Sequence, residues 1–497
     1  MTILYLHPQY KRNYDEWVVA YDLYNGKHDI MSSPKYLWSH LIETKLNDPQ
    51  SRAFRVAREE RTRYLNIPEM IVSLWTSLFF KEDPILDPET NDLLEKTGGL
   101  ENIDGENTHF FEFIKNKVLL DFLIYGKSIV LVDSFGSKPS NLLEEKELGF
   151  RPYMELLAPL SVVDWSRETR NSARLGKLNL LRHNYEYIPD RESAEEEPRI
   201  EKRTDVFSLK NGSYNIAKYR QVGATTNINN KQPEGAESIY KDGGDWAFIE
   251  EMQVTELKEI PISIAEDISW VRDLNQEVLR FHNLRSTKDN IELQQGYRQT
   301  FVKGIQAGDD LKGLSEYTMI LLPRDADIQS LEPVSTEELR ASLQESLDYC
   351  FKIGLNQLRS LPADSRENMG VDTIKEEKTN TVDLIRSTLR DLESLVNNAI
   401  KNYARFTGND NFGGKVELNK EISDDDYTQF ITVYNGFRDL LRSNKEVSKA
   451  ATKKAIKLLQ LDEEDETKAL KEAETVKVEL QKPDPIDSVL NGGQTAN

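Results

Sequence analysis

"DISWVRDLNQEVLRFHNLRSTKDN", residues 267–290, decides how the rest of the chain is read. Together with Ile264, the residues Ile268, Val271, Leu274, Val278, Phe281 and Leu284 recur at steps of three and four, which is one face of a helix. The spacing predicts a helix over 263–290. Its other faces are charged, with Asp267, Arg272, Asp273, Glu277 and Arg280. A second helix of the same kind is predicted at "STEELRASLQESLDYCFKIGLNQLRS", residues 335–360. It opens with Ser335 three residues before Glu338, a capping box. Leu339, Leu343, Leu347, Phe351, Leu355 and Leu358 form its stripe, and Arg340, Glu345 and Asp348 are among its charges. Between the two lie the strand-like runs "YRQTFVKGI" (297–305) and "YTMILLPR" (317–324). Two helices around a small β unit predict an antiparallel hairpin that holds the unit away from the main lobe. Alone, such a hairpin buries little. Packed against copies of itself in a closed ring it would be stable, and a helical insertion in a monomeric domain is the other reading.

Working outward, the segment before the hairpin reads as an α/β lobe. Residues 10–80 are mostly helical, with Tyr14, Trp17, Val18, Tyr21 and Tyr24 on one face. "HFFEFIKNKVLLDFLIYGKSIVLVD" (109–133) predicts a helix running into a strand, and "PYMELLAPLSVVDW" (152–165) two further short strands. "LNLLRHNYEY", "RTDVFSL", "SYNIAKYR" and "DWAFIEEMQV" are strand candidates in a β-rich stretch over 176–260. After the hairpin comes "ADSRENMGVDTIKEEKTNT" (363–381), almost wholly polar, which predicts a long loop of the kind that is functional or disordered. Val382, Ile385, Leu389, Leu392, Val396, Ala399 and Tyr403 then predict a long helix ending at Thr407–Gly408. Helical patterns follow at 424–444, 445–462 and 464–480, and the end of the chain has a disordered composition.

Composition excludes several classes. One cysteine, Cys350, rules out internal disulfides and cysteine-rich zinc sites. The six histidines, His7, His28, His40, His109, His183 and His282, show no metal-ligand spacing. "YGKS" (125–128) shares three letters with a phosphate-binding loop, but Asp121 stands where that motif needs glycine, and a strand follows instead of a helix. "DDD" (424–426) and "EEDE" (463–466) precede helices, where acids suit the N-terminal dipole. No carboxylate spacing marks an active site. No catalytic residue, metal site or cofactor is therefore expected. "MTILYLHPQYKRNYDEW" does not read as a signal peptide, and "IPEMIVSLWTSLFF" (67–80) is too short for a membrane span. The expectation is a soluble protein of a reducing compartment, with no membrane partner. A formal charge of −21 argues against gripping nucleic acid, though not against surrounding it.

The order of parts resembles that of the portal proteins of tailed bacteriophages, over about residues 10–480. "YLNIPEMIVSLWTSLFFKEDP" (64–84), "FIKNKVLLDFLIYGKSIVLVD" (113–133), "PYMELLAPLSVVDW" (152–165), residues 267–290 and "EEKTNTVDLIRSTLRDLESLVNNAIKNYARFTG" (376–408) each resemble a segment of that family, in the family's order. The resemblance implies a multi-domain α+β fold. Residues 1–262 would be an α/β wing. Residues 263–290 and 335–360 would be the two stem helices, and 291–334 a small α/β clip. Residues 361–381 would be the tunnel loop, 382–408 a long wing helix, 409–480 a helical crown and 481–497 a flexible tail. It implies no catalysis and no cofactor, but a homo-oligomeric ring of about twelve copies at one capsid vertex of the virion. The ring would be assembled in the host cytoplasm, and double-stranded DNA would pass through it during packaging and ejection. Implied partners are the major capsid protein, a scaffold, the large terminase subunit and then a head-tail adaptor. A multimeric scaffold without a channel and a metal-dependent nuclease are the alternatives.

Within that frame three sets of residues carry the expected contacts. Asp364, Arg366, Glu367, Asn368, Met369, Asp372, Lys375, Glu376, Glu377 and Lys378 would border the DNA channel. Five acids against three bases leave the loop net negative, so copies of it would follow a duplex without holding it. Thr318, Met319, Ile320, Leu321 and Leu322 would make clip contacts, pairing with strands of neighbouring copies, because a lone two-stranded unit is marginal in water. Arg272, Glu277, Arg280, Arg340 and Glu345 would act on the stem. Twelve copies would bring about −250 formal charges, screened beyond roughly 10 Å, and a mainly acidic tunnel wall is expected.

Overall fold

The structure, a computed structural model, describes residues 5–40, 43, 49–134, 151–170, 173–189, 199–210, 212–222, 226–227, 246–254, 257–296, 300–303, 319–322, 337–354, 371–420 and 429–436. The chain divides into two compact units, Met1–Lys420 and Glu421–Asn497. The fold is mixed α+β.

In the larger unit the chain opens with helices. These are α1 (Pro8–Asn25), α2 (His28–Met31), α3 (Pro49–Arg61) and α4 (Ile67–Phe79). Local chemistry sets their ends. His7 accepts a hydrogen bond from the Gln9 amide ahead of Pro8, and Gly26 closes α1 in the left-handed conformation. Asn66 caps α4 through the Glu69 amide, while its own amide donates to the Glu69 carboxylate. Strand β1 (Ile85–Leu86) and helix α5 (Pro88–Thr97) follow, with Asp87 as the α5 cap. Helices α6 (Phe110–Phe113) and α7 (Leu119–Tyr125) are joined by a π-helical turn, Ile114–Val118.

Strand β2 (Lys127–Ser134) is the centre of this unit. Its first six residues are all buried. It lies between β3 (Pro152–Leu156) and β10 (Ile262–Glu266) in an antiparallel three-stranded sheet. Burial on both faces explains why "IVLV" (129–132) is continuously apolar and does not alternate. A six-stranded antiparallel sheet stands beside it. It runs β4 (Val162–Arg170), β5 (Ala173–Tyr187), β6 (Arg199–Lys210), β7 (Ser213–Gln221) and β9 (Trp246–Val254), with β8 (Thr226–Asn227) pairing to β6. The four strand runs expected over 176–260 are β5, β6, β7 and β9.

Helix α8 (Arg272–Gly296) leaves the body, and α9 (Glu337–Gly354) returns to it. Between them β11 (Thr300–Lys303) and β12 (Met319–Leu322) pair in parallel. Helix α10 (Val371–Phe406) then packs across β10, β2 and β3, and β13 (Val416–Glu417) pairs with β1. In the smaller unit residues 429–436 are helical, within the pattern predicted for 424–444.

Four expectations are corrected. The first hairpin helix begins at Arg272, not at 263, because Ile262–Glu266 is a strand pairing with β2. Ile264 fitted the helical stripe by coincidence, and Ile268 is 51% exposed at the turn between strand and helix. The long helix begins at Val371, so residues 371–381 are not loop. Glu and Lys are strong helix formers and need no apolar stripe to continue a helix. Residues 409–420 belong to the larger unit and not to a separate crown. Finally, α8 runs six residues into the segment assigned to the clip. The expected helices at 445–462 and 464–480, the helix end at 355–360 and the tail lie outside the described residues.

Candidate functional site

The hairpin of α8 and α9 has a base, a seam and a tip. At the base three aromatic rings meet edge to face. Trp75 of α4 lies 4.8 Å from Trp270, which is 5.3 Å from Phe79. The Trp75 indole donates to the Gly354 carbonyl at 2.8 Å. One side chain of the body therefore meets both Trp270, two residues before α8, and the last residue of α9. Trp75 and Trp270 are almost fully buried, so the base resembles domain core more than surface.

Along the seam the helices run antiparallel. The contacts show it: Glu277 meets Ser346 near the base, and Glu292 meets Arg340 near the tip. The Ser346 hydroxyl donates to Glu277 at 2.5 Å, and Arg280 lies 3.5 Å from the same carboxylate. Burial pushes the thiol of the neighbouring Cys350 up, and the Glu277 charge adds to that, so Cys350 is a packed apolar residue. Toward the tip, Arg340 donates to Glu292 through two nitrogens at 2.7 and 3.1 Å, and Lys288 lies 3.3 Å away. Burial raises the Glu292 pKa, but hydrogen bonds from Arg340 and Lys288 outweigh it and hold the carboxyl below its usual range. Ser286 on α8 also meets a buried ion pair. Arg58 of α3 donates to both oxygens of Glu43 at 2.6 Å and reaches the Ser286 hydroxyl at 3.3 Å.

The stem residues singled out from sequence are therefore dispersed. Glu277 and Arg280 meet each other, and Arg340 crosses the hairpin to Glu292. Arg272 pairs instead with Glu16 of α1 at 3.0 Å, and Glu345 is exposed. At the tip Met319, Ile320, Leu321 and Leu322 form β12, in register with Thr300, Phe301, Val302 and Lys303. The expected pairing partner in a neighbouring copy is thus met, on one edge, by β11 of the same chain. Thr318 lies outside the described residues, as do Asp364, Arg366, Glu367, Asn368 and Met369. Asp372, Lys375, Glu376, Glu377 and Lys378 fall on the first turns of α10.

The residues set aside at the sequence level have structural partners. Lys127 of "YGKS" is buried in β2, 2.9 Å from Glu266 and 3.5 Å above the Trp165 ring. Burial lowers its pKa, and the Glu266 charge opposes that. His7 and His109 cap helices. His282 hydrogen-bonds the Met31 carbonyl at 3.1 Å, and burial pushes His183 down to about 4. Among the described residues no three His, Cys, Asp or Glu side chains could hold a metal ion, and no helix is long and apolar enough to cross a membrane.

Sequence reasoning missed a group of acids and tyrosines contributed by the three-stranded and six-stranded sheets. Asp133 of β2 stands opposite Tyr153 of β3 in the ladder, and Asp205 of β6 opposite Lys218 of β7. The Tyr185 hydroxyl donates to Asp205 at 3.2 Å. Burial raises Asp205 to about 6, against the pull of Lys218 and Tyr185. The buried Tyr214 hydroxyl has no hydrogen-bond partner, and Asp133 and Asp205 add to the burial that raises its pKa. The available signal was a polar residue at an inward position of an alternating strand. The chain matches no protein-family model and no curated protein.

Proposed function

We propose that this chain is the subunit of a portal ring, a channel at one capsid vertex through which double-stranded DNA is packaged and ejected. In this reading α8 and α9 are the stem, the β11–β12 unit is the clip and α10 is the helix across the wing. The ring has about twelve copies. The clip docks the large terminase subunit during packaging and the head-tail adaptor afterwards. The body faces the capsid protein, and the chain itself catalyses nothing.

The observation that carries the reading is the hairpin. A body anchored by Trp75 sends out one helix of 25 residues, about 37 Å long, and takes back another. The chain inserted between them holds a separate two-stranded sheet. A helical insertion serving only its own domain would have no need of a β unit at its far end. The charge agrees with this reading. At −21 per chain, a ring would surround DNA without gripping its phosphates. A mainly acidic tunnel wall, lined in part by the start of α10, belongs to the same proposal.

Electron microscopy of the purified chain tests it. Rings with a central hole wide enough for a duplex are expected. A monodisperse monomer at all concentrations, or a solid assembly without a channel, would refute the reading. Divalent-dependent nuclease activity in such a monomer would point to an enzyme instead.

A further inference from the structure

A cavity of about 340 Å³ lies between α10, β10 and the edge of the six-stranded sheet formed by β4 and β5. It is at the small end of the range for ligand pockets. Four cationic side chains from three elements line it: Arg167 of β4, Lys177 of β5, and Lys401 and Arg405 of α10. Glu259, from the turn before β10, is the one carboxylate among the lining residues. It is already engaged, since Arg405 donates to it at 2.9 Å and Lys177 also pairs with it. Those two hydrogen bonds outweigh the effect of burial and hold Glu259 below its usual range. The lining thus carries a net charge of +3 in a chain whose total is −21.

One carboxylate, Glu259, offsets only part of this charge, and the remaining excess of positive charge around one cavity costs free energy that a bound anion would relieve. Lys401 has no ion-pair partner among the described residues. Ser263 of β10 lines the same cavity, and its buried hydroxyl has no hydrogen-bond partner. A buried polar atom without a partner is one that an unseen ligand or water would satisfy. Arg167 and Lys401, beside an Arg405 and a Lys177 that share Glu259, suit a tetrahedral dianion with several acceptor oxygens.

We infer that this cavity binds a phosphate group, either as the free ion or carried on a small metabolite such as a nucleotide. The site draws on residues near 167, 177, 263 and 401–405, so an occupant would tie the six-stranded sheet to the long helix. Bound phosphate would therefore stabilise the body against unfolding, by mass action. The inference is independent of the portal reading, since it needs only the folded larger unit.

The test is thermal unfolding of the full chain with inorganic phosphate, against sodium chloride at matched ionic strength. A saturable rise in midpoint with phosphate is expected. In the Lys401→Gln, Arg167→Gln double variant the apparent affinity should fall at least tenfold, while the midpoint without phosphate should be no lower than that of wild type. Lys401→Gln alone serves as the second variant, because Lys401 is exposed and its loss is not expected to affect folding. Adenosine monophosphate forms the second arm. Tighter binding than phosphate would assign the site to a phosphorylated metabolite, and equal binding to the free ion. No rise above the chloride control with either compound would overturn the inference. So would an equal rise in wild type and both variants.

Discussion

Two small sheets in this chain are built to opposite rules. The β10–β2–β3 sheet has a central strand buried on both faces, five paired positions on each side and α10 packed across all three strands. The β11–β12 sheet has two strands, four paired positions and no third strand among the described residues. An isolated pair of that size is marginal in water. The first sheet draws its stability from its own chain. The second is suited to gain it from other chains. The hairpin between them separates the part that must fold alone from the part that, in the proposed reading, meets other chains.

The sharpest way to break the comparison is at Gly126, the corner where α7 turns into β2. Its φ is +68°, and a Cβ there would lie 2.4 Å from the Asp267 carbonyl oxygen and 2.5 Å from the Ser269 nitrogen. Both obstacles are backbone, so neither moves aside cheaply. Gly126→Val is expected to cost about 5 kcal/mol, at the exceptional end for one substitution. Denaturant titration would show it as loss of the folded baseline. A fold of normal stability would mean that this corner does not anchor the body.

Trp75→Ala comes next. It removes a ring packed against Trp270 and Phe79 and the hydrogen bond to Gly354. A loss of about 3–5 kcal/mol is expected. Because Trp75 bears on both ends of the hairpin, amide exchange should quicken at the start of α8 and the end of α9 together. Faster exchange in only one of the two helices would show that the base is not shared.

These costs also explain what the sequence could and could not disclose. The strands β5, β6, β7 and β9 alternate and are punctuated by turn residues, so they were legible. The hairpin was legible because Leu274, Val278 and Phe281 are buried and recur with the period of a helix. Ile264 misled because one residue fits both a period of two and a period of 3.6. The start of α10 was hidden for a different reason. A helix turn made of Asp372, Lys375, Glu376, Glu377 and Lys378 has no apolar face to read. The cavity proposed to bind an anion had no sequence signal at all, since Arg167, Ser263 and Lys401 meet only in the folded unit.

A smaller effect, and one of opposite sign, is expected at Asp121 on α7. Burial raises its carboxyl to about 8, and its Oδ2 has no hydrogen-bond partner. Below about pH 4 the group is protonated folded or unfolded and costs nothing. As pH rises toward 8 the unfolded chain ionises while the folded chain does not, so stability is lost across that window. Asp121→Asn removes the titration. The variant should gain on wild type from pH 4 to 8, with a slope of at most about 1.4 kcal/mol per pH unit. A stability difference that does not change with pH would mean that Asp121 is ionised in the fold.

The smallest effect on stability is expected where the effect on assembly is largest. Ile320 sits in the middle of β12, opposite Phe301. A proline there removes an amide donor and breaks the strand. In the body such a change would unfold the protein. At the tip it should shift the unfolding midpoint of the single chain by less than about 0.5 kcal/mol, as a surface change does. Rings, however, should fail to form, or should form without docking a packaging motor. Electron microscopy and denaturation of the same preparation read the two effects separately. If Ile320→Pro destabilises the chain as severely as Trp75→Ala, the β11–β12 unit is part of the body's own fold. The contrast between the two sheets, and with it the case for a clip that meets other chains, would then fall.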